Sequence, residues 1–263
     1  MKNCTLCKER TADKLNSHII PKFMCKRLFE NTNPRHSVQI SKDGKQSKLQ
    51  DVPKENNVFC KKCETKFEKL ETYFSRVLIE INSPQNAVRN YTIVPTEKQD
   101  LLYCDDITPS LFYLFFYSLL WRASISKHIL FDTFKIGTDV QEELRSFLNL
   151  NLFDTQKELL LNARTISKIP AYYTCFIKPK NRTRGIFSAY NSAPNSFSIY
   201  TVDYVLFFYT KEKDCLPAHK LYGNINNETI KVVIADDENW QTLNKLVVQN
   251  MLEYKTAGNS KQK

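Results

Sequence analysis

The sequence predicts an α+β fold in two parts. A cysteine-closed amino-terminal module is followed by a helical part with a small, mostly antiparallel sheet. Three observations support this division. Two Cys-x-x-Cys pairs lie near the amino terminus, separated by residues 8–59. Apolar residues recur at three- and four-residue intervals over residues 60–81, which is typical of an amphipathic helix. After Pro170 the chain is rich in aromatic and β-branched segments, which favour strands.

Length and composition are those of a folded protein with a basic surface. The chain has 263 residues, an apolar fraction of 42% and a formal net charge of +10. This length accommodates two domains, which we place at residues 1–85 and 86–263. The basic excess is concentrated in residues 1–85. It favours a polyanionic partner such as nucleic acid.

Neither a secretory signal nor a membrane span is expected. The amino terminus lacks the apolar core of a signal peptide, and the longest apolar stretch, residues 111–121, is shorter than the roughly 20 residues that span a bilayer. We therefore expect a cytoplasmic protein without membrane association. In the reducing cytoplasm, paired cysteines bind metal more often than they form disulfides.

The elements of the first part follow from local patterns. Pro21 suits the first turn of a short helix over residues 21–30. The Asp43-Gly44 dipeptide is typical of a tight turn, and it predicts a hairpin over residues 36–51. The apolar stripe over residues 60–81 predicts the longest helix of this part.

The second part is predicted to begin with a proline-punctuated linker or crossing loop over residues 83–95. Thr108 and Pro109 form a helix start. Further elements are expected from periodicity and composition. The helices are predicted at residues 108–130, 139–150, 155–164 and 236–254, and the strands at residues 172–177, 185–190, 197–209 and 229–235.

The cysteine pairs carry the strongest chemical signal. Two residues between cysteines allow both sulfurs of one turn to bind the same tetrahedral ion, and four such sulfurs are typical of a structural Zn²⁺ site. The second pair begins the predicted helix, where backbone N–H groups stabilise thiolates. We therefore predict a structural zinc ion held by Cys4, Cys7, Cys60 and Cys63.

The residues around these pairs suggest a family. Residues 17–21 form a Ser-His-Ile-Ile-Pro motif, and Glu64 follows the second pair directly. With these motifs the chain resembles the zinc-containing type of the HNH, or ββα-metal, nuclease superfamily. More narrowly, it resembles uncharacterised bacterial HNH-like proteins. The resemblance implies a treble-clef or ββα-metal-like module. It also implies metal-dependent hydrolysis of phosphodiester bonds in nucleic acid, with DNA as the expected substrate, and a role in bacterial defence against phage.

The resemblance also implies catalytic roles for particular residues. His18 would be the general base that activates water. Glu64, with Glu68 one helical turn later, would hold a catalytic Mg²⁺ or Mn²⁺. Two positions depart from the superfamily: Ser17 stands where Asp or His is usual, and Glu64 stands where His or Asn is usual. Ser17 is a poor metal ligand.

An alternative of another class therefore stays open. The module would be catalytically degenerate and would bind nucleic acid or protein, with zinc only as a stabilising element. In that case His18 would be a structural residue, Glu64 would complement the helix dipole, and Glu68 with Glu71 would form a solvated face.

One further basic cluster is a candidate for nucleic-acid binding. Lys178, Lys180, Arg182 and Arg184 alternate along the chain, so in an extended segment they share one side and could contact phosphates. A charged sheet edge that resists aggregation explains the same pattern. We expect the part after residue 85 to recognise the substrate or a protein partner that gates the nuclease.

Overall fold

We describe the protein from a computed structural model covering residues 2–30, 36–40, 46–97, 99–181, 186–225 and 229–259. The predicted Asp43-Gly44 turn lies outside these ranges. The fold is α+β, and within the described residues it has seven α-helices and one large, mostly antiparallel sheet.

The first part consists of two small strand pairs and one long helix. In chain order, its elements are β1 (Ser17–His18), α1 (Lys22–Cys25), β2 (Ser37–Ile40), β3 (Gln46–Leu49), β4 (Lys54–Glu55) and α2 (Lys61–Asn82). β1 pairs antiparallel with β4, and β2 pairs antiparallel with β3. The helix predicted over residues 21–30 is only partly α-helical, because α1 passes into a 3-10 turn at Lys26–Phe29.

Helix α2 confirms the prediction over residues 60–81. Its sequence places apolar residues on one face, and that face is buried. Cys60 caps the amino-terminal end, where its sulfur accepts a hydrogen bond from the N–H of Cys63. The long helix therefore begins at the second cysteine pair.

The second part is built around a seven-stranded sheet. In chain order, its elements are β5 (Tyr91–Pro95), β6 (Asp100–Cys104), α3 (Pro109–Ile125), α4 (Thr138–Asn151), α5 (Gln156–Asn162), β7 (Tyr173–Pro179), β8 (Ser188–Ala193), β9 (Ser196–Tyr200), β10 (Val205–Tyr209), α6 (Pro217–Tyr222), β11 (Ile230–Ala235) and α7 (Asp237–Asn259). The strand order is β5-β6-β11-β7-β10-β9-β8. Only the β11–β7 pair is parallel.

Two expectations for this part were wrong. The stretch at residues 83–95 is not simply a linker, because it contains the edge strand β5. The single strand expected at residues 197–209 is an antiparallel pair, β9 and β10. The two strands are joined by a turn in which the N–H of Thr201 donates to the carbonyl of Tyr204 at 2.7 Å. That turn contains neither Gly nor Pro, and Asp203 is its one residue of a type that is common in turns.

Helix α3 lies at the centre of the molecule. Residues 110–124 are all buried, as expected of a helix that is apolar on every side. The ring of Phe115 stacks on that of Phe74 in α2 at 4.2 Å, and the ring of Phe116 lies 4.9 Å from that of Phe176 in β7. One continuous core therefore joins residues of the first part to the sheet. None of the described helices combines the length and apolar character needed to span a membrane.

Candidate functional site

Four cysteines from two distant segments meet in one buried cluster. The sulfur atoms of Cys4, Cys7, Cys60 and Cys63 all lie within 4.8 Å of one another. Among the His, Cys, Asp and Glu side chains that the structure describes, this is the only group of three or more compact enough to hold a metal ion. Four converging sulfurs can hold a structural metal such as zinc.

Backbone hydrogen bonds fix the two cysteine pairs relative to each other. The first pair lies on a tight turn in which the N–H of Cys4 donates to the carbonyl of Arg10 at 2.7 Å. This turn is attached to the segment between β4 and α2, because the N–H of Thr5 donates to the carbonyl of Val58 at 3.0 Å. The N–H of Lys14 donates to the carbonyl of Phe59, also at 3.0 Å. The cluster is thus assembled by the main chain as well as by the cysteines.

The surroundings of the cluster favour a thiolate at Cys4, whereas the hydrogen bond to Cys4 and burial raise the pKa of Cys63. A hydrogen bond from the Cys63 thiol is the main cause that lowers the pKa of Cys4, to about 4, against the opposing effect of burial. The guanidinium of Arg10 donates to the sulfurs of Cys60 and Cys63. Since metal ions bind the deprotonated sulfur, these contacts fit a metal site. The sequence analysis did not single out Arg10.

His18 lies at the end of β1, next to the cluster-bearing segment. Its Nε2 atom is buried and has no hydrogen-bond partner in the described part of the chain. Burial lowers the pKa of the imidazole, and the nearby charge of Lys54 lowers it further. The ring is therefore neutral near pH 7 and can accept a proton.

Three glutamates lie at helical spacing on α2, and their environments differ. Glu64 is 9% exposed, and burial raises the pKa of its carboxyl group. The hydroxyl of Ser17 is fully buried and lies near this carboxylate without reaching hydrogen-bonding geometry. Glu68 is exposed. Burial also raises the pKa of Glu71, which pairs with Arg122 at 2.6 Å.

A groove of about 470 Å³ brings part of the predicted catalytic set together. It is lined by His18, Lys22, Phe23, Lys26, Glu68, Glu71, Thr72 and Ser75. His18 and Glu68 thus lie on one groove, whereas Glu64 is not among its lining residues. In the described ranges, His18, Glu64 and Glu68 do not form a compact group of ligand atoms like that of the cysteines.

Arg122, like Arg10, is a functional candidate to which sequence reasoning assigned no role. Its side chain is 2% exposed, and its Nη1 atom donates to Oε1 of Glu71 at 2.6 Å and to the carbonyl of His18 at 3.2 Å. Its guanidinium lies 4.9 Å from the centre of the Phe67 ring. Arg122 is the single charged residue of α3. A lone charge in a buried helix requires a partner, so this pattern was the available signal.

The second basic cluster is divided between buried and exposed positions. Lys178 in β7 is 5% exposed, and burial lowers its pKa. Lys180 is exposed and lies 3.6 Å from Asp100. Arg182 and Arg184 lie outside the described residues. A shared phosphate-binding row remains a prediction, and buried Lys178 would need to become accessible to take part in it.

No family model, no curated protein and no solved structure matches this chain. Functional assignment therefore depends on the chemistry of the site itself. That site has three components. They are the four-sulfur cluster, the groove lined by a neutral His18 with Glu68 and Glu71, and the buried Arg122, which contacts both His18 and Glu71.

Proposed function

We propose that this protein is a metal-dependent endonuclease of the HNH, or ββα-metal, type that hydrolyses phosphodiester bonds in nucleic acid, with DNA as substrate. One observation carries the proposal. The antiparallel β1–β4 pair leads into α2 at the four-cysteine cluster, and His18 from β1 lines the same groove as Glu68 from α2. A base and a carboxylate beside one groove suit water activation next to a metal-bound phosphate.

In this proposal the four cysteines hold a structural Zn²⁺. The ion fastens the amino-terminal turn to the first turn of α2, as in a treble-clef module. It takes no part in the chemistry, because four sulfur ligands leave no open coordination position for water or substrate.

His18 accepts the proton of the attacking water. Its neutral ring and its unpartnered Nε2 atom support this role. Glu68 and Glu64 are the candidate ligands of a catalytic ion, and carboxylate oxygens suit Mg²⁺ or Mn²⁺. Such an ion, when bound, stabilises negative charge on the reacting phosphate. Glu68 is the more accessible of the two candidate ligands, because it is exposed and lines the groove, whereas Glu64 is buried near Ser17.

The groove also offers positive charge to a nucleic-acid backbone. Lys22 and Lys26 line it beside His18, and lysine contacts to phosphate orient a nucleic acid without reading its sequence. The part after residue 85 would recognise the substrate or a partner protein that controls cutting, as in a defence effector against phage.

The experiment compares cleavage by the full chain and by His18→Ala. Supercoiled plasmid and single- and double-stranded oligonucleotides are incubated with Mg²⁺, with Mn²⁺ or with a chelator. We expect ion-dependent cutting that falls about 10²- to 10⁴-fold in His18→Ala, with zinc content and thermal stability unchanged. His36→Ala is the matched control and should cut like the wild type. Equal cutting by His18→Ala would rule out the assigned base.

A second candidate function is supported by the environment of Glu64. Its carboxyl group is buried beside Ser17, which is a poor metal ligand, and burial raises its pKa. A catalytically degenerate module would keep the zinc ion and bind nucleic acid or protein. Failure of folded, zinc-loaded wild type to cut any substrate, together with nucleic-acid binding that weakens steeply with salt, would favour this function over the endonuclease.

A further inference from the structure

A single arginine connects the candidate site to the second part of the chain. Arg122 projects from α3, and it reaches both the main chain of β1 and the side chains of α2. Its Nη1 atom donates to the carbonyl of His18 and to the carboxylate of Glu71. The ring of Phe67, which lies between Glu64 and Glu71 along α2, packs against the guanidinium.

Packing alone does not account for an arginine at this position. The side chain is 2% exposed, and its Nη2 atom is buried with no hydrogen-bond partner in the described residues. Burying a guanidinium carries a large desolvation penalty, and apolar residues of similar volume often replace such buried ion pairs without loss of stability. Methionine in place of Arg122, with an apolar residue also in place of Glu71, would fill the same space without burying a charge.

The shape of the guanidinium matches a positioning role. Its rigid, planar fork offers several donors in fixed directions. Here it joins the main chain at His18 to Glu71 in the third turn of α2, and it lies 4.9 Å from the centre of the Phe67 ring. These contacts define where the end of β1 lies relative to the acidic face of α2. Both of these bonds start from Nη1, while Nε donates to the carbonyl of Ser118 within α3 at 3.4 Å. A lysine ammonium could reach the same two acceptors, but it has no second nitrogen that fixes its direction against α3.

We propose that Arg122 is a positioning residue, which holds His18 at a fixed place relative to the carboxylates of α2. The shape of the groove then depends on the position of α3, which carries Arg122. The expected effect of Arg122 on catalysis rests on the proposed endonuclease function. The expected effect of Arg122 on the conformation at His18 is independent of that function. The two can therefore be tested separately in the same set of variants.

The molecule provides a matched control in Arg89, which contacts α2 from outside the helix, as Arg122 does. Arg89 pairs with Glu80 of α2 at 2.9 Å and lies 5.2 Å from the centre of the Tyr73 ring. It combines an ion pair with an aromatic contact, as Arg122 does, but it makes no described contact with His18. Arg89→Met therefore tests what the loss of such an arrangement does to the helix in general.

The experiment measures structure and kinetics in Arg122→Met, Arg122→Lys, Glu71→Gln and Arg89→Met. In zinc-loaded full-length protein, the carbonyl ¹³C resonance of His18 reports the hydrogen bond from Arg122 directly. We expect this resonance to move in Arg122→Met and to stay in place in Arg89→Met. With a substrate that the wild type cuts, Arg122→Met should lower kcat by at least about 10-fold with little change in KM, since small misplacements of a reacting group reduce rate strongly. Arg122→Lys should restore the charge without restoring the rate.

Each outcome decides the proposal. An unmoved His18 resonance in Arg122→Met, or an equal loss of kcat in Arg89→Met, would overturn it. If Arg122→Met does not fold, the same resonance is read in Arg122→Lys and Glu71→Gln, where a shift supports the proposal and no shift in either overturns it. If the wild type cuts nothing, the endonuclease function fails, while the resonance still shows whether Arg122 positions His18.

Discussion

The guanidinium of Arg10 donates to two of the four clustered cysteines, with its Nε atom 3.3 Å from the sulfur of Cys60 and its Nη2 atom 3.7 Å from the sulfur of Cys63. Four thiolates around one Zn²⁺ would leave such a site with a net negative charge. A fixed cation that hydrogen-bonds two of these sulfurs offsets part of this charge and holds both ligands in orientation.

Arg10→Gln should therefore weaken zinc binding without removing a ligand. We expect the affinity to fall by about 10- to 100-fold, which is the usual effect of losing a group that orients metal ligands. Competition with a chromophoric chelator measures this change. Arg76→Gln removes an exposed positive charge from α2 away from the sulfurs and serves as the control. Equal affinities for Arg10→Gln and Arg76→Gln would mean that Arg10 contributes only general charge.

Removing one sulfur ligand should have a much larger effect. Cys63→Ser should abolish stoichiometric zinc and unfold the first part of the chain, because structural zinc contributes on the order of 10 kcal/mol, comparable with the whole stability of a domain. Elemental analysis and thermal unfolding measure both effects. Cys25→Ala removes a buried thiol outside the cluster and should retain one zinc per chain. Wild-type protein without stoichiometric zinc would contradict the assignment of the site.

The features of this site that were predictable from sequence are those encoded locally. The spacing within each cysteine pair indicates a metal ligand set, and the apolar stripe over residues 60–81 predicts α2 because helical periodicity needs only neighbouring residues. The contact between Arg122 and His18 spans 104 residues. It depends on how α3 packs against α2, which no local pattern specifies. Strand β5 escaped prediction because most of it is exposed, so it lacks the apolar alternation of a half-buried strand.

Alanine substitutions at two glycines, Gly223 and Gly137, test how closely the end of α6 packs against the sheet. A Cβ atom at Gly223 would lie 2.3 Å from the carbonyl oxygen of His219 and 2.6 Å from that of Thr174, whereas a Cβ atom at Gly137 would meet nothing within 4 Å. Both obstacles at Gly223 are main-chain atoms, which cannot rotate away. Gly223→Ala should lower the free energy of unfolding by about 1–3 kcal/mol, and Gly137→Ala should change it by less than about 0.5 kcal/mol. Urea denaturation measures both, and equal values would mean that the end of α6 moves freely.

The last prediction concerns a buried histidine away from the groove. Nδ1 of His219 in α6 lies 2.6 Å from the hydroxyl of Tyr209 in β10. Burial lowers the pKa of the imidazole to about 4 from its ordinary value of 6.5. The ring is therefore neutral in the folded protein near pH 7, and the Tyr209 hydroxyl can donate to it.

This depressed pKa makes the contribution of His219 to stability depend on pH. Above pH 6.5 the ring is neutral in both states and the contribution is complete. Between pH 6.5 and about 4 the unfolded chain binds a proton that the folded protein excludes, so the contribution is lost as the pH falls. His219→Gln removes this pH-dependent contribution to stability. Effects of acid on other groups are common to the wild type and the variant, so they cancel when the two free energies of unfolding are subtracted. The stability advantage of wild type over His219→Gln should therefore shrink by roughly 2 kcal/mol from pH 7 to pH 4.5. Urea titrations at both pH values measure it, and a constant difference would show that folding does not lower the pKa of His219.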